Sequence, residues 1–565
     1  IMQFYERRAR RILPALFFVL GATTLAAYFI MLPYELADYG RWLNGVIFFI
    51  SNIVFWRESG YFAGASELNP LLHTWSLAVE EQYYILFPPF LWLIWRWRMR
   101  AVWIILGLIT LGSLVLSDVM ATRMAGANFY LLPTRAWELL AGSLLALYLL
   151  RKPQPTGRLA EALSLGGLIS VLAALLFFSS ATPFPSFYTL LPVLGTVALL
   201  LAASPQTLVG KFLGWSPMVG IGLISYSAYL WHQPLFAFAR LLAAENHPPL
   251  AVMLTLSVLT LGLAWVSWRF VEAPFRAKGR ISQRQIFGAS IAVGMAFSAC
   301  GAALFYSNGF LQRYPADETA IMALSNNEYG DYVRTGYRQV AGRPLSADKP
   351  NLVLIGDSFS QDFFNVIKEA GAFSDYAMTA RYIPARCQIS FGTDYAEIRH
   401  LIAAEYRRMC ETRSVQQSDV DVIREADIVV FAARWQSWAA SRFEQTLRAM
   451  AIPETTQVIV VGSKAFGANR RDILAAVRTA GISATARSDA DVLAVNDILK
   501  TQSETAIFID IMRDFCPQGC PLFTQAGEMV SYDGRHLTAE GAKMLGAVVF
   551  DSRLTNIGFE EDSKR

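Results

Sequence analysis

Two short segments, far apart in the chain, carry residue types that can do covalent chemistry together. The first is Asn351-Leu-Val-Leu-Ile-Gly-Asp-Ser-Phe-Ser360, in which four apolar residues run into Gly356-Asp357-Ser358. The second is Asp533-Gly-Arg-His536-Leu-Thr-Ala-Glu-Gly-Ala542. A serine hydroxyl is a weak nucleophile until a neighbouring base takes its proton. A histidine three residues after an aspartate can reach Ser358 while the carboxylate holds its imidazole in the right tautomer. Either motif alone is a weak signal, since Gly-Asp-Ser also occurs in ordinary turns and Asp-x-x-His as a surface pair. Together, in this order and at opposite ends of one segment, they point to nucleophilic catalysis.

The elements around them must bring the two motifs into contact. The apolar run before Gly356 reads as a buried strand that stops in a tight turn, exposing Ser358 at the start of a helix (Asp362 to Ala370). The free N–H groups of a helix N-terminus can stabilise an oxyanion there. Later runs at Ile428–Ala432, Gln457–Val461 and Ala506–Ile509 are strand-like. They alternate with helix-like segments at Ser441–Ala451, Arg471–Ala480 and Asp489–Ser503. Such alternation implies a parallel sheet with helices on both faces, and active residues at the carboxyl ends of its strands. Two strand ends read Phe431-Ala-Ala-Arg-Trp435 and Val461-Gly-Ser-Lys464. Arg434 and Trp435 sit where a substrate-facing group is expected, with a core or a rim role open to each. The expected boundaries are a linker at 309–349, an α/β domain at 350–555 and a tail at 556–565.

The preceding half is of another kind. The chain has 565 residues, 54% hydrophobic and only 17% charged, with 49 Lys+Arg against 45 Asp+Glu. That argues against an ordinary soluble enzyme, and the 13% aromatic content argues against disorder. The small net charge gives no footprint for nucleic acid. Up to residue 308 the apolar residues lie in long runs, and nine of them are read as spans: Ile12–Leu32, Leu77–Trp95, Val102–Val119, Arg135–Leu150, Ala162–Ser180, Phe187–Ser204, Val219–Leu241, Pro249–Trp268 and Gln285–Tyr306. A shorter run at Leu43–Phe55 reads as interfacial or re-entrant. With nine spans, five basic clusters fall on one face. They are Arg7, Arg8, Arg10 and Arg11; Arg96, Arg98 and Arg100; Arg151, Lys152 and Arg158; Lys211; and Arg269, Arg276, Lys278, Arg280 and Arg284. The ninth span then delivers the α/β domain to the non-cytoplasmic side.

Cysteine usage agrees. Cys300 falls in the last span, leaving Cys387, Cys410, Cys516 and Cys520 in the α/β domain. An even number in an exported domain suggests disulfides, with Cys387–Cys410 and Cys516–Cys520 the favoured pairing. A metal site is disfavoured, because Cys-x-x-x-Cys occurs once without a second ligand pair.

Polar residues inside membrane segments are costly and usually purposeful. His73, Glu80 and Glu81 stand together at the mouth of a span and need partners. Arg135 and Glu138 share a helix face at i, i+3 spacing, which favours an internal ion pair over catalysis. His232 beside Trp231 reads as an interfacial anchor or a site residue. Arg7, Arg8, Arg10 and Arg11 are most simply orientation signals.

In the second half, the paired Gly-Asp-Ser and Asp-x-x-His motifs resemble the SGNH (GDSL-like) hydrolase family. That resemblance implies a three-layer α/β domain with Ser358 as nucleophile, His536 as general base and Asp533 as orienting acid. The family adds a Gly and an Asn as oxyanion donors. Neither maps cleanly here: Gly462 and Asn469 are weak candidates, and the Ser358 backbone N–H is the firm one. In the first half the segments Phe4-Tyr-Glu-Arg-Arg-Ala-Arg-Arg-Ile-Leu-Pro14, Asn69-Pro-Leu-Leu-His-Thr-Trp-Ser-Leu-Ala-Val-Glu-Glu-Gln-Tyr-Tyr84, Pro133-Thr-Arg-Ala-Trp-Glu-Leu-Leu-Ala-Gly142, Ile224-Ser-Tyr-Ser-Ala-Tyr-Leu-Trp-His-Gln-Pro234 and Arg269-Phe-Val-Glu-Ala-Pro-Phe275 resemble the membrane acyltransferase-three family, in the branch with a C-terminal SGNH domain.

What this second resemblance implies is O-acylation, most often O-acetylation, of a bacterial envelope glycan such as lipopolysaccharide or exopolysaccharide. Acyl groups from cytoplasmic acyl-CoA, with acetyl-CoA the expected donor and no bound cofactor, would pass through the membrane domain to the exported, periplasmic domain. The implied partners are the inner-membrane bilayer, acyl-CoA inside, with contact to its phosphates as the alternative role for Arg7, Arg8, Arg10 and Arg11, and the glycan acceptor outside. Family members carry two further spans before the Phe-Tyr-x-Arg-Arg segment, the first with the histidine regarded as the transfer base. The expectation is therefore eleven spans in the full protein and a chain lacking two, with no residue standing in for that histidine. Two rival classes remain: an exported membrane-anchored carbohydrate esterase, and a transporter with an attached glycan-binding domain.

Overall fold

In a computed structural model, residues 1–58, 66–179, 182–243, 248–277, 281–315, 318–319, 326–403, 406–466 and 470–550 are described. The chain divides into two compact units, Ile1–Leu311 and Gln312–Arg565.

The first unit is entirely helical among the described residues. A backbone with no water to bond must satisfy its own N–H and C=O groups, so long apolar runs become helices. Each run read as a span coincides with one: Met2–Ile30, Thr74–Ile94, Met99–Arg123, Leu132–Leu149, Gly157–Phe177, Leu190–Ala202, Ser216–Leu242, Leu250–Ser267 and Gln283–Tyr306. Among the described residues five stretches are long and apolar enough to cross a bilayer by themselves: Met2–Ile30, Met99–Arg123, Gly157–Phe177, Leu250–Arg276 and Gln283–Tyr306. The run Leu43–Phe55 is not one element. It is split between the helices Pro33–Ile47 and Ser51–Glu58, which meet where Phe49 takes a φ of 53°.

Outward faces carry large apolar side chains, with Phe29, Leu108, Leu175, Phe177 and Val258 all exposed, the pattern of a lipid-facing surface. Small and hydroxylated residues turn inward, as expected where close packing and hydrogen bonds hold helices together. Ser113 Oγ donates to the Pro133 carbonyl at 2.6 Å and accepts the Trp137 N–H at 3.1 Å. Gly167 and Gly195 face each other so closely that a Cβ on Gly167 would lie 2.6 Å from the Gly195 oxygen.

The second unit is built on a five-stranded sheet of order β2-β1-β3-β4-β6. Its strands are β1 Asn351–Gly356, β2 Ala377–Tyr382, β3 Ile428–Ala432, β4 Gln457–Val461 and β6 Ile507–Ile509. All neighbours are parallel. A two-stranded antiparallel ribbon pairs β5 (Thr485–Ala486) with β7 (Cys520–Pro521). One face of the sheet is covered by helix Ser358–Glu369, against which helices Asn326–Val340 and Ala539–Val549 pack. On the other face Val353, Ile355, Val429, Phe431 and Val460 join Phe443, Met450 and Leu499 in one buried cluster.

The four expected strands appear where the runs placed them, with β6 one residue shorter at its start. β2 has no signature: it is an edge strand, only Thr379 and Ala380 are buried, and it carries Arg381. Residues 309–349, expected as a linker, hold the helix Asn326–Val340, whose Val333 and Tyr337 are buried. The expected tail at 556–565, and Lys278 and Arg280 of the fifth basic cluster, lie outside the described residues. Both disulfides are present, Cys387–Cys410 and Cys516–Cys520, and Cys300 is free.

Candidate active site

From β1 the chain passes outward to β2 and then returns to β3 on the other side of β1, so a crevice opens at the carboxyl ends of β1 and β3. Ser358 stands at that switch point. Gly356 makes the turn possible: its φ is +151°, and a Cβ there would lie 1.8 Å from the Ala432 carbonyl oxygen. Asp357, fully buried, caps the following helix by accepting the Phe359 N–H at 2.8 Å. Its second oxygen accepts the Arg434 N–H at 2.9 Å, tying the Ser358 turn to the loop after β3. Burial pushes the Asp357 carboxyl upward, against the backbone N–H groups and the charges of Lys464 and His536.

His536 Nε2 lies 2.9 Å from Ser358 Oγ, and His536 Nδ1 lies 2.7 Å from Asp533 Oδ2. The other Asp533 oxygen accepts the backbone N–H groups of Arg535 and His536, at 2.9 and 2.7 Å. Burial alone would raise the Asp533 carboxyl. The hydrogen bond and charge of His536, with the two N–H groups, outweigh it, and its pKa falls below the ordinary carboxylate value. An ionised Asp533 can only accept, so Nδ1 carries the proton and Nε2 presents a lone pair to the serine hydroxyl. For His536 burial works against the charged form. The Asp533 hydrogen bond and the negative charges of Asp362 and Asp533 prevail, and its pKa lies above the usual histidine value. This arrangement can draw a proton from Ser358 and hold it.

Around the start of the helix, the Ser360 and Gln361 N–H groups go to the Asp357 carbonyl. The Ser358 N–H has no protein partner among the described residues and, at the first position of the helix, is the candidate oxyanion donor. Gly462 is not available for that role. Its N–H donates to the Ile509 carbonyl at 2.9 Å, continuing the β4–β6 ladder. Asn469 lies outside the described residues. The Arg434 side chain is exposed, and Trp435 is core: its indole donates to the Val461 carbonyl at 3.0 Å. Behind His536 stands an ion pair between Lys464 and Asp362, neither of which stands out in the sequence.

The candidate polar residues of the first unit fall into separate groups. His73, buried, lies 5.4 Å from His232 and 5.0 Å from Tyr229 between ring centroids, and neither of its ring nitrogens has a hydrogen-bond partner among the described residues. Glu81 sits two turns further along the same helix, 3.6 Å from Arg8, whose guanidinium lies 3.4 Å from the Tyr84 ring centre; Glu80 is half-buried beside it. Arg10 is engaged by Glu6 at 2.8 Å and by the Ile281 carbonyl, whereas Arg7 and Arg11 are exposed. Arg135 pairs with Glu138 at 3.1 Å under the rings of Trp75 and Phe129.

Comparison with known proteins places both halves. Residues 327–550 match the family model described as an SGNH domain fused to AT3 domains, and residues 1–269 match the acyltransferase domain model. The chain is 30% identical over 298 residues to the O-acetyltransferase OatA of Staphylococcus aureus strain NCTC 8325, covering 49% of this chain and 48% of that protein. It is 27% identical over 295 residues to the peptidoglycan O-acetyltransferase OatA of Listeria monocytogenes, covering 50% and 47%. With the putative peptidoglycan O-acetyltransferase YrhL of Bacillus subtilis it shares 31% over 302 residues, again 50% and 47%. The chain thus spans about half the length of the curated relatives it matches. No solved structure matches it. Several apolar helices and this similarity mark a multi-pass membrane protein. With its two units matching these two models, the chain belongs to the acyltransferase-three family whose members carry a fused SGNH domain.

Proposed function

We propose that this chain is an O-acetyltransferase that modifies an envelope polysaccharide, with Ser358 as the covalent carrier of the acyl group. Acyl-CoA on the cytoplasmic side is the donor, the nine-span membrane unit relays the group, and the second unit acts in the periplasm on a glycan held outside the inner membrane. The observation that carries this reading is the Ser358–His536–Asp533 hydrogen-bonded chain in a protein that also matches an acyltransferase domain. The relatives named as peptidoglycan O-acetyltransferases support acetyl as the group and a wall or surface glycan as the acceptor.

In the chemistry proposed, Ser358 Oγ attacks the carbonyl carbon of the acyl donor while its proton passes to His536 Nε2. The oxyanion forms against the Ser358 N–H, and the donor's leaving group departs with the proton from His536. A sugar hydroxyl then attacks the acyl-serine and gives its proton to His536. The ester bond to Ser358 breaks, and Oγ recovers a proton. Asp533 keeps the imidazole in the accepting tautomer and stabilises the imidazolium in both halves. In the membrane unit His73 and His232, with Glu80, Glu81 and the arginines Arg7, Arg8, Arg10 and Arg11, are the proposed groups for the donor side. Arg135 and Glu138 hold a helix together.

The test is the Ser358→Ala strain. Its envelope glycan, analysed by mass spectrometry for base-released acetate, should lack the modification while the protein stays in the membrane at normal amount. Normal acetylation in that strain overturns the covalent mechanism. Glycan that gains acetate when Ser358 is lost makes the protein an esterase instead.

A further inference from the structure

His536 is delivered by a loop, and what holds that loop is an ion pair buried in the second unit. Lys464, in the loop after β4, and Asp362, on the nucleophile's own helix, have side chains 2% and 0% exposed, with Nζ and Oδ2 2.6 Å apart. Lys464 Nζ also donates to the Arg535 carbonyl at 2.8 Å. The Leu537 N–H donates to Asp362 Oδ2 at 3.3 Å. The residues immediately before and after His536 are thus both fastened to one pair of charges. The same ammonium lies 3.7 Å from the centre of the Phe359 ring, and that ring meets the His536 imidazole edge-on at 6.0 Å. Asp362 follows Ser358 by four residues, one helical turn, so the carboxylate is rigid with respect to the nucleophile.

A fully buried ion pair contributes little net stability, because desolvating two charges offsets most of their attraction, and well-packed apolar residues often serve as well. Its return must be sought in what it orients. We propose that the Lys464–Asp362 pair is a positioning clamp that fixes the His536 peptide to the Ser358 helix and so sets the approach of the imidazole to the nucleophile. This rests on the reading of Ser358 and His536 as nucleophile and base. The clamp joins three segments that the sheet alone does not: the helix after β1, the loop after β4 and the histidine loop. Asp362 Oδ1 has no hydrogen-bond partner among the described residues, so the second oxygen adds no tether of its own.

The pair also acts on the imidazole electrostatically. Four charged groups face His536: Asp533 on its own loop, Asp362 and Asp357 from the nucleophile's helix and its cap, and Lys464 from the loop after β4. Asp362 favours the imidazolium and Lys464 opposes it. Removing the Asp362 charge must therefore lower the pH at which His536 becomes a free base.

The experiment uses the full chain in detergent and hydrolysis of 4-nitrophenyl acetate. Asp362→Leu combined with Lys464→Met replaces the pair by apolar groups of similar volume, and the folded protein should persist. Turnover should fall tenfold to a hundredfold with KM unchanged, as expected of a displacement of about 1 Å in a catalytic group. Wild-type turnover in the folded double variant overturns the clamp. Asp362→Asn keeps an acceptor oxygen for Leu537, and the acid limb of its pH–rate profile should move to lower pH. Asp497→Asn, at an exposed pair with Arg513, should leave it in place. If the double variant does not accumulate, Asp362→Asn decides alone, and an unmoved limb overturns the clamp. Ser358→Ala separates the two readings: persistent hydrolysis there refutes the site itself. Lost hydrolysis with unaltered clamp variants refutes the clamp only.

Discussion

Removing the two disulfides one at a time should have unequal consequences, and the inequality can be worked out from chain length. The bridge Cys387–Cys410 closes a sequence separation of 23 residues and Cys516–Cys520 one of 4. In the chain-entropy account, loops of these lengths restrict the unfolded chain by roughly 3.4 and 1.9 kcal/mol. Each double Cys→Ala variant deletes two sulfur atoms from buried positions: Cys387 and Cys410 are both 0% exposed, Cys516 and Cys520 4% and 0%. The cost of lost packing is therefore similar, and the difference of about 1.5 kcal/mol isolates the loop term. At a urea slope of about 3 kcal/mol per M, the first pair should lower the midpoint by roughly 1.1 M and the second by roughly 0.6 M. Pulse proteolysis of the detergent-solubilised full chain reads this for the second unit, by loss of its protected fragment against urea. The first bridge has a second effect. Gln388, next to Cys387, donates to the Arg434 carbonyl at 2.9 Å and accepts the Gln436 N–H at 2.8 Å. Loss of Cys387–Cys410 should thus slow ester hydrolysis as well, whereas loss of Cys516–Cys520 should act on stability first. Equal midpoints, or the larger loss from Cys516–Cys520, would refute the reasoning.

Three further outcomes are expected. His536 must be neutral to accept the Ser358 proton, and its pKa lies above the usual value of 6.5, so hydrolysis by the wild type should rise with pH through an acid limb above that value. Asp533→Asn removes the carboxylate charge that favours the imidazolium; the limb should move to lower pH while the plateau falls by about 10²–10⁴, since a neutral amide no longer enforces one tautomer. Gly356→Ala should cost about 3 kcal/mol or more and deplete the folded second unit, because its Cβ would have to enter the space of the Ala432 oxygen. A urea midpoint within error of the wild type would show that the turn can relax.

The sequence carried much of this site because its chemistry is local where it is most specific. Asp533 and His536 are three residues apart, and the run Leu352–Ile355 announces a buried strand that must end at Gly356. The disulfides were legible from parity and compartment. What could not be read depends on register and on long separations. The Gly462 N–H looks free until β6 is placed beside β4, when Ile509 takes it. Lys464 and Asp362 are 102 residues apart, and each alone looks like a surface charge. β2 escaped because an edge strand needs few apolar residues. In the first unit the helices could be read from their runs, but the meeting of His73 with His232 depends on how two distant helices face each other.

These differences follow from where each residue sits relative to the sheet. Ser358, Arg434 and Lys464 lie two or three residues beyond strands β1, β3 and β4, so the register of a fully hydrogen-bonded parallel sheet fixes their starting points. His536 has no such support. Its loop is held by single bridges, such as Ser531 with Leu537, and by Ser531 Oγ donating to the His536 carbonyl at 2.7 Å. A base that must stay within hydrogen-bond reach of a nucleophile cannot rest on so few bonds, since a shift of about 1 Å costs roughly 10² in rate. Polar side chains supply the missing rigidity. Asp357 ties the Ser358 turn to the loop after β3, Gln388 ties the loop after β2 to that same loop, and Lys464 ties the loop after β4 to Arg535, beside the histidine. With the Trp435 N–H donating to Ser463 Oγ at 2.8 Å, these ties form a chain that ends beside His536, so deletions at adjacent ties should couple rather than add.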